Sequence, residues 1–207
     1  EAVTDVVLTH LHYDHCGGLA YFPESDRSLE IYVHEAAFAK KYALNPGGTT
    51  YREIGIPWSC EEYENIKNRL VFTKKNMEIA PGIHLCGEIP SAMAFEEVPH
   101  GFYCGDGPDY SHDFIKDEQM LVFDGEKGLS ILRMNLFPGK KIHTLTAGMH
   151  LDNVSPLRLQ MTIQHMIDLD IQKVIPLHCT GIFAICEMKR FLGDRCLPLC
   201  AGDSLEL

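Results

Sequence analysis

Several things are missing from this chain of 207 residues, and each absence narrows what it can be. No run of 18 or more apolar residues occurs, so no membrane-spanning helix is expected. No secretory or transit leader is recognisable, and the first residues already read as the inside of a strand, so the natural start is expected upstream. None of the eight cysteines lies in a CxxC pair, which argues against a zinc ribbon or a thioredoxin-type redox site. Cys16, Cys86, Cys104, Cys179 and Cys186 sit in or beside apolar stretches, where a free thiol behaves as a small hydrophobe. That usage suits a reducing cytoplasm, with Cys196 and Cys200 the pair closest together. No cluster of Lys and Arg offsets the formal net charge of −11, so nucleic acid is not an expected partner. An anionic substrate would need a local positive centre, which bound metal could supply. Repeats, linkers and low-complexity tracts are absent as well. With 45% hydrophobic and 23% charged residues, the chain reads as one ordinary globular domain spanning 1–207.

Strand and helix patterns alternate late in the chain, and strands cluster in the middle. Residues 2–9, "AVTDVVLT", and 29–34, "LEIYVH", read as strands. "EAAFAKKYAL" is rich in helix formers and predicts a helix over 35–44, stopped by Asn45, Pro46, Gly47 and Gly48. Ser59 followed by Glu62 is a capping-box signature for a helix over 60–70. "LVFTKK", "MEIA" and "IHLCGEI" read as strands turning at Asn76 and at Pro81-Gly82, and 90–116 reads as a long loop without period. "QMLVFD" and "KGLSIL" predict a hairpin around Gly125 and Lys127. "KIHTLTAG" and "QKVIPL" are further strands. Ser155 and Pro156 open a helix to about Asp168, Thr180 caps another through "TGIFAICEMKRFL", and "LPLCAGDSLEL" offers one or two closing strands. One join is odd. A parallel crossover needs on the order of 10–12 residues or more. The stretch "RMNLFPGK", 133–140, is short for that, so either the flanking strands are antiparallel or a segment is absent from the sequence.

The chemistry concentrates in "LTHLHYDHCGG", where three histidines and an aspartate occupy six positions after a buried strand. Residues i and i+2 of an extended chain point the same way, so His10 and His12 can face one metal. Asp14 and His15 follow a bend that Gly17 and Gly18 permit, and can serve a second. Imidazole and carboxylate donors suit zinc, and also iron or manganese. Two such ions can hold a bridging hydroxide, the nucleophile of metal-assisted hydrolysis. Sites in α/β folds form at the carboxyl ends of strands, and two distant histidines meet that test. His150 follows "KIHTLTAGM" and His178 follows "KVIPL". A helix opening at Thr180 would add backbone N–H groups for an anion.

"THLHYDH" resembles the HxHxDH signature of the metallo-β-lactamase superfamily, and "GEIP", "KDEQMLV", "AGMHL" and "PLHCTG" extend the likeness over most of the chain. They are similar to the branch of metal-dependent hydrolases of β-lactamase superfamily II that includes dihydropterin–ribofuranosylaminobenzene phosphate synthases. The resemblance implies an α/β fold, the αβ/βα four-layer sandwich. It implies His10, His12, Asp14, His15, His150 and His178 as ligands of two divalent ions, with Asp14 and His150 at the reacting centre. Asp117 or Glu118 would be an acid near the site or a partner of a ligand histidine, and Thr180 would lie near the substrate. Against the branch's pattern, strands before the HxHxDH strand and a Gly-Cys-x-His segment after "GLSIL", near Leu132-Arg133, are missing. Ser91 stands where Arg is common. The implied activity is hydrolysis of an ester or phosphoester-type bond in a small anionic molecule. The alternatives are a pterin-pathway transferase and a non-catalytic metal- or ligand-binding protein.

Overall fold

A computed structural model describes residues 3–21, 29–89, 100–131, 140–200 and 202–206. The described residues gather into two compact units: one runs through Asn76 and takes in 86–89 and 100–119, the other takes 77–85 and continues from 120 onward.

The first unit holds a parallel three-stranded sheet of β1 (Asp5–Val7), β2 (Glu30–His34) and β5 (Leu70–Thr73), in the order β1-β2-β5. Its core comprises Leu8, Leu11, Cys16, Leu19, Leu29, Ile31, Val33, Ala37 and Ile66. A one-turn helix, α1 (Tyr13–Cys16), follows β1, and α2 (Cys60–Ile66) precedes β5. The Ser59–Glu62 capping box forms as expected, although α2 tightens into a 3-10 turn at Lys67–Arg69. An antiparallel sheet, order β4-β3-β8-β9, joins β3 (Lys41–Leu44), β4 (Tyr51–Glu53), β8 (Phe102–Cys104) and β9 (Ser111–His112).

That second sheet corrects two expectations. The helix expected over 35–44 is a 3-10 turn, Glu35–Phe38, followed by β3. Lys41 and Ala43 point inward and Tyr42 and Leu44 are half-buried, a strand's period of two. Tertiary burial of Lys41 thus outweighs the helix preference of Ala and Lys. The loop expected over 90–116 contains β8 and β9 within its described part; 90–99 lies outside the described residues.

The second unit carries most of a six-stranded sheet, order β13-β12-β11-β10-β7-β6. These strands are β6 (Met77–Ala80), β7 (Ile83–Gly87), β10 (Gln119–Gly125), β11 (Gly128–Ile131), β12 (Ile142–Ala147) and β13 (Lys173–Pro176). The β10–β11 hairpin forms as expected. The odd join is resolved in one respect: β11 and β12 are parallel, so the antiparallel alternative fails. Ile131 and Ile142 are joined by 132–141, at the short limit for a parallel crossover. The ligand segment expected near Leu132-Arg133 falls at 132–139, outside the described residues. Helices α3 (Pro156–Asp168) and α4 (Ile182–Leu192) supply Leu159, Ile163, Met166, Ala184, Met188 and Leu192 to a core with Leu145 and Val174. The tail forms no closing strand among the described residues; it makes only a parallel bridge of Cys196 to Val174, secured by Leu197 N–H donating to the Val174 carbonyl.

Candidate metal centre

His10, His12, Asp14 and His15 lie just past the carboxyl end of β1, where the chain leaves the sheet and turns into α1. Several bonds, all within the first unit, hold that turn. Gln119 is buried and works as a clamp. Its backbone N–H donates to the Thr9 carbonyl at 2.8 Å, and its side-chain amide donates to the carbonyls of Leu8 and Tyr32 at 2.8 and 3.3 Å. The amide oxygen accepts from the Thr73 hydroxyl at 2.6 Å. One residue therefore ties together the ends of β1, β2 and β5. The Leu11 N–H donates to Asp117 Oδ2 at 2.9 Å, and the Tyr13 N–H donates to the Ile54 carbonyl at 2.9 Å.

The imidazoles are consequently packed together. Ring centroids of His10 and His15 lie 3.9 Å apart, and those of His10 and His12 lie 4.6 Å apart and near-perpendicular. His15 Nε2 lies 3.6 Å from Asp14 Oδ2, and its Nδ1 is 3.3 Å from the Thr9 hydroxyl. His10 and His12 are buried, His15 is half-buried and Asp14 is exposed, so the group runs from the interior to the surface. Cys16, next along, is no part of it. Its thiol donates to the His12 carbonyl at 3.2 Å, and burial, reinforced by the nearby charges of Asp14 and Asp117, pushes it up to about 12. A thiol held so firmly protonated is a poor ligand.

His12 Nε2 is sealed from solvent with no hydrogen-bond partner, as is Asp113 Oδ2, and the two face each other at 3.9 Å. Asp113 also approaches Lys41 Nζ at 3.4 Å and accepts the Ile115 N–H at 2.8 Å. Burial acts to raise the Asp113 pKa, but His12, Lys41 and the Ile115 N–H outweigh it and hold the carboxyl at about 2. Lys41, 2% exposed, makes its closest contact with Asp117 Oδ1. Of the two acids expected near the site, Asp117 accepts the Leu11 N–H of the loop, and Glu118 contributes a backbone N–H that closes a turn onto the Ile115 carbonyl. Asp113, Lys41 and Gln119 were missed as site-supporting residues. Lys41 lies 76 positions from Asp117 and Gln119 lies 111 from Leu8, and no local spacing marks these residues.

The donor chemistry of this group fits a first-row divalent ion: three imidazoles packed together at the end of a strand, with one carboxylate beside them.

In the second unit, His150 and His178 follow β12 and β13, both strands ending at the same edge of a parallel pair. The two loops are locked together. Thr180 is fully buried; its hydroxyl accepts the Met149 N–H at 3.3 Å and lies 3.4 Å from the Ala147 carbonyl, which also takes the Leu177 N–H at 2.8 Å. A Cβ on Gly148 would sit 2.3 Å from Cys179 Sγ. His150 has a left-handed backbone, φ 47°, which costs a non-glycine residue energy and needs such surroundings to persist. Thr180 does not cap α4. Gly181, at φ 86°, is the N-cap, and the threonine hydroxyl is committed to the His150 loop instead. Thr180 thus secures the loop backbone, a role its expected cap would have precluded.

Residues 1–184 match the family model described as the metallo-beta-lactamase superfamily. The chain is similar to a 7,8-dihydropterin-6-methyl-4-(beta-D-ribofuranosyl)-aminobenzene-5'-phosphate synthase of Methanocaldococcus jannaschii, 27% identical over 206 residues, covering 89% of this chain and 68% of that protein. It is also similar to an uncharacterized protein of the same organism, 30% identical over 201 residues, covering 92% of this chain and 74% of the relative. Among solved structures, a metal-dependent hydrolase of the beta-lactamase superfamily superposes over 100% of this chain and 80% of its own, with a TM-score of 0.81 at 24% identity, a likeness of fold.

Proposed function

Because the chain belongs to the metallo-beta-lactamase superfamily, we propose that it is a metal-dependent hydrolase acting on an ester or phosphoester bond of a small anionic molecule. The observation that carries this reading is the packed trio of His10, His12 and His15 beside Asp14, fastened to the sheet ends by Gln119 and Asp117. In this reading His150 and His178 complete the ligand set for two divalent ions. Their support is their shared place after parallel strands and the interlocked loops that carry them. Zinc is the ion this set suits best, with iron or manganese next. Bound metal would supply Lewis acidity and a water acidified to near-neutral pKa.

The remaining work falls to the chain's own residues. His10 and His12, buried, orient the inner end of the site. Asp14, exposed at the outer end, is open to arriving substrate, and in this reading it would act with His150 at the reacting centre. Against a net charge of −11, the metal region would be the local attraction for an anion. The test is turnover of a phosphodiester and a carboxylate ester by zinc-loaded protein, with His10→Ala as control. Hydrolysis lost in the variant supports the reading, and equal rates in both oppose it.

The name of the 27% identical relative favours a second reading, a synthase at the same metals that couples an aromatic amine ribotide to the methyl carbon of a dihydropterin diphosphate ester, whose C–O bond breaks as pyrophosphate leaves. Consumption of both compounds with release of pyrophosphate, without ester hydrolysis, would select it. A chain that binds metal but turns over neither set would be a binding protein.

A further inference from the structure

Two buried atoms that make no hydrogen bond face one another: His12 Nε2 and Asp113 Oδ2, 3.9 Å apart. The distance exceeds a hydrogen bond, and a closer approach would satisfy both groups at once. The carboxylate is not free to leave. Lys41 Nζ stands 3.4 Å from the same Oδ2 and the Ile115 N–H holds Oδ1 at 2.8 Å. Lys41 also pairs with Asp117, whose other oxygen takes the Leu11 N–H. One buried cation therefore stands against two carboxylates, one holding the Leu11 N–H of the ligand loop and one facing the ring of His12. The opposite ring nitrogen, Nδ1, makes no hydrogen bond among the described residues and is absent from the set of buried orphan atoms.

We propose that Asp113, backed by Lys41, is a positioning residue that accepts the Nε2–H of His12 and so fixes the imidazole in the tautomer whose Nδ1 lone pair binds metal. An imidazole's two nitrogens cannot both bear the proton in the neutral ring, so a partner on one selects the other as ligand. The inference rests on the metal-centre reading for its consequence, but its first observable does not need metal.

That observable is the tautomer of His12 in metal-free protein, read from long-range proton–nitrogen correlations of nitrogen-15-labelled histidine. The His12 signal is assigned by its loss in His12→Gln. The expected state is Nε2–H, giving way to mixed or Nδ1–H character in Asp113→Ala. An Nδ1–H tautomer in the unaltered protein overturns the proposal. The second observable is zinc affinity by competition with a chromophoric chelator. Asp113→Ala is expected to weaken it roughly 10- to 100-fold. Unchanged affinity and unchanged tautomer in that variant would also overturn it, while leaving the metal centre standing. Should Asp113→Ala fail to fold by circular dichroism, Asp113→Asn keeps the shape and is expected to show a smaller loss. If the unaltered chain binds no zinc, the metal reading fails, and the tautomer still decides the role of Asp113.

Discussion

At Gly181 the backbone adopts φ 86°, and a Cβ there would lie 2.8 Å from the Cβ of Asp152. Gly181→Ala is therefore expected to lose on the order of 1–2 kcal/mol from the left-handed conformation, with more from the clash, measurable as a lower urea midpoint. Thiols give a second residue-scale test. Cys60, Cys186 and Cys200 are exposed, whereas Cys16, Cys86 and Cys196 are buried, and burial raises the pKa of each of these three. At mildly alkaline pH an aromatic disulfide reagent should modify the exposed three quickly and the buried three only after denaturation; fast reaction of Cys16 in the native protein would contradict its placement. The exposure of Cys186 departs from its apolar sequence context, because it lies on the outer face of α4. His143 supplies a pH test. Burial first, then the charges of Lys173 and Lys127, lower its pKa below 6.5. The folded state thus disfavours the proton, so the His143 contribution to stability is complete above 6.5 and diminishes as pH falls through the lowered value. An NMR titration should give a midpoint below 6.5, moving upward in Lys127→Met.

Among the elements, those marked by local chemistry were the legible ones. Ser59 accepts the Glu62 N–H while Glu62 accepts the Ser59 N–H, and Ser155 accepts the Arg158 N–H ahead of Pro156. Ser59→Ala should cost about 1 kcal/mol, seen as a lower melting temperature with unchanged metal affinity, since α2 carries no ligand. Elements decided by distant partners were not legible. A lysine on a helix-forming stretch normally faces water, but Lys41 is buried by carboxylates supplied 72 and 76 residues later, and the stretch becomes a strand. Thr180 looked like an N-cap because caps are recognised by residue type. The adjacent Gly181, able to take positive φ, displaced the helix start by a residue. The HxHxDH histidines were legible because four donors in six positions have few other uses; Asp113 was not, because a lone aspartate in a loop carries no pattern.

For the molecule as a whole, parallel strands in each unit end in ligand-type residues: His10 after β1 in the first, His150 and His178 after β12 and β13 in the second. Among the described residues no helix is long and apolar enough to cross a membrane. The family model spans 1–184, so the signature read at the start of the chain and the loops read near its end lie within one matched region. The central claim is that His10, His12, Asp14 and His15 hold metal. Elemental analysis of protein loaded with zinc and then dialysed tests it most directly, comparing the unaltered chain with the His12→Ala/Asp14→Ala double variant, both checked for folding by circular dichroism. The account predicts zinc retained by the unaltered chain and lost from the folded double variant; full retention in the variant, or none in the unaltered chain, would contradict it.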